Sequence, residues 1–351
     1  VTARIPLHCD LFREGPPREV LRAGELRAEA HRTARGVEVL RLHNAAGWVE
    51  VLPFLGAMVW NARFGGHELR MAGKFAEPRP ASGILGTYGC LLFHAGLLRN
   101  GCPGPEDSHA LHGEAPCAPM DAAWLELAGD ALRLVCAREH AEGFGPRYLA
   151  TPSVTLRAAE TVFGVEMAVR NLAGRPMELM YMAHANFAFL AGARILQPAP
   201  WTPEAVAVRR AVPAHVTPTP RFLARIEALA EAPERLERLD PALCDPEQVF
   251  YIRGPLATDA QGWARSALQR PEGDGFVLEH RPADFPHLVR WLLHDPDEQV
   301  AAFALPSTCE PEGYAAERRK GNVQHLAPGE ERRFPVRLGW LDAAAMGRAG
   351  G

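Results

Sequence analysis

Apolar and polar residues alternate with a period of two along much of this chain. The cleanest run is 161–170, where Phe163, Val165, Met167 and Val169 point one way and Glu166 and Arg170 the other. That spacing predicts a strand with one buried face. Residues 171–176 carry turn chemistry, and 177–189 reads as the returning strand. Earlier, 37–42 and 48–54 flank the turn residues 44–47, which predicts a hairpin. The stretches 132–138 and 154–157 repeat the theme. Residues 285–310 read as two strands joined at 294–297, and 326–330 turns the chain into a last strand over 332–340. A long meander of short strands predicts an all-β sandwich or barrel.

One region departs from the alternation. From 198 to 246 the chain is rich in Pro, Ala, Glu and Arg. Phe222, Leu223, Ile226 and Leu229 sit at helical spacing, and 234–239 has room for another helical turn or two. This predicts an insertion with a short amphipathic helix lying on the β scaffold. Residues 1–351 are therefore read as one β domain with that insertion inside it.

Composition narrows the class. With 47% hydrophobic residues among 351, a full core needs neither disulfides nor metals. The formal charge of −4 is spread along the chain, which argues against a nucleic-acid partner and against a polybasic membrane anchor. Residues 1–10 lack the pattern of a signal peptide, and no apolar run is long enough to span a bilayer. Seven scattered cysteines with no Cys-x-x-Cys pair read as free thiols in a reducing cytoplasm.

Three separated islands carry candidate chemistry. They are Leu111-His112-Gly113, His184 to Phe189, and Cys309 to Tyr314. Each sets a proton-handling side chain in or beside a strand. Taken singly, His184 reads as a half-buried strand histidine bonded to a carbonyl, and His112 as a loop histidine. Glu310 lies just past the apolar run 300–305, either at the mouth of a site or on the surface. Arg99 either clamps a hydroxyl or pairs with Asp107.

Together, in the order Arg, Leu-His-Gly, strand His followed by aromatics, and late Glu-Pro, these residues resemble the aldose 1-epimerase (galactose mutarotase-like) superfamily. The resemblance runs from about Val37 to Leu338. It is closest to a poorly characterised branch whose tail has Glu-Pro, a basic loop with Gly, and Leu-x-Pro-Gly-Glu. Here those are Glu310-Pro311, Arg318 to Gly321, and Leu326 to Glu330. It implies a large antiparallel mutarotase-like sandwich and a cofactor-independent isomerase acting on a monosaccharide. Glu310 would be the base that takes the anomeric proton, and His184 the acid that gives one to the ring oxygen. His112 and Arg99 would hold the sugar, and Trp291 and Phe187 are aromatics that could stack on it; Trp291 reads equally well as core.

Two departures stand out. Glu114 replaces the second Gly of the turn, and the family's substrate-binding Asp has no clean counterpart. Glu247 is the first candidate for that place and Asp245 the second. A carboxylate at the edge of an apolar strand is expected to have its pKa raised by desolvation. Three other readings stay open. One is a non-catalytic sugar-binding or sensing protein on the same fold. Another is a metal site built from His94, His109, His112, His184 and Glu310, although the spacings form no recognised cluster. The third is an anionic sugar, hinted at by Arg318-Arg319-Lys320. An exposed sheet edge would allow a homodimer.

Overall fold

The computed structural model describes residues 3–212 and 216–349. The terminal residues and 213–215, inside the expected insertion, lie outside the described residues. Among the described residues, two antiparallel sheets pack face to face. The smaller has nine strands and carries Val162–Asn171 beside Glu331–Leu341 near its middle. The larger has fourteen, with Gln248–Ile252, His287–His294, Gln299–Ser307, Met177–Ala185, Leu92–Leu97 and Met58–Phe64 side by side. The strand periodicity explains the arrangement. Phe163, Val165, Met167 and Val169 are all buried between the sheets, while Glu166 points outward to Arg333.

The larger sheet is apolar on both faces. Leu179, Tyr181 and Ala183 turn inward to the common core. Phe93, Met182, Val249, Tyr251 and Val289 turn to the opposite, outer face and form a second cluster there. Loops that cover this outer face, including 70–90 and 98–117, supply Tyr88 and Leu111 to it.

Three elements differ from the sequence reading. The predicted strand 177–189 is broken at Asn186, whose backbone N–H donates to Leu91 O and whose carbonyl accepts from Met71 N–H. Within the insertion, helix Pro220–Glu231 forms as the spacing predicts, capped by Thr219 Oγ1. Phe222, Ile226 and Leu229 are buried, but Leu223 faces solvent. The same stretch also contributes a strand, Val206–Val208, which extends the larger sheet by pairing with Gln248–Ile252. Finally, the expected basic loop is a helix, Tyr314–Lys320. Its first turn is held by groups distant in sequence, Asp107 Oδ1 accepting from Ala315 N–H and His109 Nε2 from Tyr314 N–H. All seven cysteines are free.

Candidate active site

Strand Met177–Ala185 alternates, so His184 shares the outer face with Met182. Its ring lies on Phe93, with centroids 4.4 Å apart and planes 16° apart. Trp291 stands edge-on at 5.9 Å and Tyr88 at 6.3 Å. His112 completes the group, 4.9 Å from His184 and 5.5 Å from Phe93. Both histidines are buried.

His112 reaches this place through a tight turn. Its φ of +59° is left-handed, which costs a side-chain-bearing residue about 1 kcal/mol. The following Gly113 has φ +79°, and a Cβ there would lie 2.0 Å from Arg99 O, so only glycine fits. Glu114, which departs from the family pattern, has a structural use. Its Oε1 accepts from Leu97 N–H, Leu98 N–H and Tyr148 OH at 2.8–2.9 Å, closing the turn against the sheet.

The carboxylate loop is stitched to this turn. His112 N–H donates to Gly101 O, and Cys102 N–H donates to Pro311 O, between Glu310 and Glu312. Gly101 sits so close that a Cβ would meet Pro311 C at 2.5 Å. Glu312 accepts from Tyr251 OH and pairs with Arg209 at 2.9 Å. Glu310 pairs with Arg253 at 3.0 Å and Lys320 at 2.7 Å, in a recess of about 340 Å³ lined also by Tyr251 and His287. Trp291, beside His184, and His287 lie on one strand, four residues or roughly 13 Å apart. The histidine pair and Glu310 thus mark two ends of one face, with Tyr251 and Glu312 between them. Glu310 makes its ion pairs with the two cations, not with either histidine.

The electrostatics correct one expectation. Burial does push the Glu310 carboxyl upward, but the hydrogen bonds and charges of Lys320 and Arg253 outweigh it, and its pKa is lowered. Burial pushes His112 down to about 4. Burial, then the neighbouring His112, holds His184 well below the usual histidine range. At neutral pH the imidazoles are uncharged and the carboxylate is ionised.

Other expected site residues are placed as follows. Glu247 Oε2 accepts from Trp291 Nε1 at 2.5 Å, which brings it to the histidine group. Asp245 is exposed in a separate cleft with Arg225 and His294. Arg99 pairs with Glu178 at 3.0 Å, lies 3.7 Å over the Tyr314 ring, and lines a different cavity of about 700 Å³. Phe187 packs between the sheets on Phe276 and Phe303, so it cannot meet a sugar. His94 points inward to Tyr181 OH, on the opposite face of the sheet from His112 and His184. Arg319 and Lys320 are paired with Glu106, Glu310 and Glu317, so the basic stretch leaves neither of them without a counter-charge. Sequence reasoning missed Asn186, Glu312, Tyr251 and Arg209. Only the first two lie within a recognised motif, each two residues from a candidate.

Comparison with solved structures fits this architecture. A galactose mutarotase-like protein from Clostridium acetobutylicum is 12% identical, with 91% of this chain and 100% of that one covered at a TM-score of 0.61. A Klebsiella pneumoniae protein provisionally assigned as an aldose 1-epimerase is 16% identical, with 96% and 90% covered at a TM-score of 0.76. The fold is therefore the galactose mutarotase-like sandwich. Residues 34–339 match the model of a domain of unknown function, DUF4432. The chain therefore belongs to the DUF4432 family. No curated protein matches it.

Proposed function

We propose that the protein interconverts the anomers of an aldose on the outer face of its larger sheet. The observation that carries this reading is the stitching of the two loops. The turn that aims His112 at His184 is hydrogen-bonded to the segment bearing Glu310 and Glu312. Two imidazoles and a carboxylate loop on one face, with Trp291 beside them, suit a pyranose lying between the two ends.

In the proposed reaction Glu310 takes the proton of the anomeric hydroxyl, and the His184 imidazolium gives one from Nε2 to the ring oxygen. The bond between the anomeric carbon and the ring oxygen breaks as the aldehyde forms. Rotation about the adjacent carbon–carbon bond and the reverse transfers close the other anomer, restoring both groups. Each positioned transfer is worth about 10²–10⁴-fold. The pair needs one proton and carries none at rest, because burial keeps His184 neutral and the cations keep Glu310 ionised. The proton that His184 donates is therefore taken up from solvent as the sugar binds. In this reading Glu247, held by Trp291, and Glu312, held by Tyr251 and Arg209, also accept sugar hydroxyls.

Anomer exchange measured by NMR across a panel of aldoses tests the reading. At least one sugar should equilibrate faster with the protein. Glu310→Gln should abolish that acceleration and leave sugar binding in place. Binding of sugars with no acceleration of any would replace this reading with a non-catalytic one.

A further inference from the structure

We infer that Asn186 is a positioning residue that commits His184 to the tautomer with its proton on Nδ1, leaving Nε2 as the nitrogen offered to a ligand. The argument runs through hydrogen-bond direction. Asn186 Nδ2 donates to Cys90 O at 3.2 Å. A backbone carbonyl can only accept, so the NH₂ side of the amide must face Cys90. The Oδ1 side then faces His184 Nδ1, at 2.9 Å. An amide oxygen can only accept as well, so Nδ1 carries the hydrogen whether the ring is neutral or charged.

The amide has no freedom to turn. Asn186 is completely buried, and its backbone is pinned on both sides, N–H to Leu91 O at 2.6 Å and C=O from Met71 N–H at 3.0 Å. That pinning is what breaks the strand after Ala185. The His184 ring is equally fixed by its stack on Phe93. Titratable groups facing the ring are His112 and Tyr88. Asparagine thus orients the imidazole without adding a charge. An aspartate would orient it and also favour its cationic form, as in a carboxylate–histidine pair.

This tautomer holds whether or not the proposed reaction is right; its effect on turnover rests on that reading. The test is ¹⁵N NMR of the ring nitrogens of the full chain, with His184 assigned by its absence from His184→Gln. The wild-type ring should show a protonated Nδ1 and an unprotonated Nε2. Asn186→Asp should keep that pattern while the ring titrates about 1–3 units higher. Asn186→Ala should lose it, with a mixture of tautomers. In anomer exchange, Asn186→Ala should lower kcat about 10²-fold with little change in KM, and Asn186→Asp should recover part of it. A wild-type ring protonated at Nε2, or a tautomer unchanged in Asn186→Ala, overturns the inference. Should Asn186→Ala fail to fold, the wild-type spectrum and Asn186→Asp still decide it. If the tautomer follows Asn186 but no sugar is turned over, the inference stands and the proposed reaction is what fails.

Discussion

Lys320 Nζ stands 2.7 Å from Glu310 Oε2 and 2.7 Å from Glu317 Oε1, so one ammonium bridges two carboxylates at the end of helix Tyr314–Lys320. Glu317 is fully buried, and it also accepts from Glu310 N–H. The arrangement decides the Glu310 charge state. Burial alone favours the neutral acid, and the cation reverses that. Lys320→Met should therefore raise the Glu310 pKa and move the acid limb of kcat/KM to higher pH by about one unit. Arg253→Met should do less, since that side chain is 55% exposed and its charge is better screened. The pH–rate profiles of both variants check the order.

The resting charge states make a second prediction. If the His184 imidazolium is the acid, only the protonated fraction turns over, and that fraction is small at neutral pH because the folded pKa lies well below 6.5. Above the apparent pKa, kcat/KM should fall about tenfold per pH unit. A profile that stays flat from mildly acidic to neutral pH would mean that turnover needs no proton on His184, and its role as the acid would fail.

The strands and the insertion helix were legible in the sequence because their signals are local. Period-two alternation marks Val162–Asn171, and helical spacing marks Phe222, Ile226 and Leu229. The break at Asn186 was not legible, because it comes from backbone partners at Leu91 and Met71. Helix Tyr314–Lys320 was hidden for the same reason, since Asp107 and His109 cap it from two hundred residues away. The destination of Arg99 was equally obscure. Glu178 and Tyr314 compete for a guanidinium that motif order alone assigned to the sugar. The lowered Glu310 pKa also required Arg253, which no local pattern ties to it.

The buried histidines should make the fold acid-labile. His94, His112 and His280 are pushed down to about 4 by burial, from 6.5. A depressed histidine binds fewer protons folded than unfolded, so its stability contribution is complete above pH 6.5 and is lost as pH falls toward 4. Each loses on the order of 3 kcal/mol across that window. His280 is the informative case, because it is fully buried and, among the described residues, neither ring nitrogen has a hydrogen-bond partner. His280→Leu should leave stability at pH 7.5 unchanged or higher by about 1–3 kcal/mol, and should flatten its fall between pH 6.5 and 4.5. Urea unfolding at several pH values measures both effects.

Two glycines with nearly the same backbone angle separate conformational strain from the space the site requires. Gly113 has φ +79° and Gly329 has φ +76°. An added Cβ at Gly329 meets nothing within 4 Å, whereas at Gly113 it meets Arg99 O at 2.0 Å and Gly96 O at 2.7 Å. Gly329→Ala should therefore cost only the left-handed penalty, about 1–2 kcal/mol, and leave activity intact. Gly113→Ala carries the same penalty and must also displace the turn that seats His112 beside His184. It should lose more stability than Gly329→Ala, and any folded fraction should bind sugar weakly. Denaturation and sugar titration of the two variants side by side would show the difference; equal losses would mean that the turn yields without moving His112.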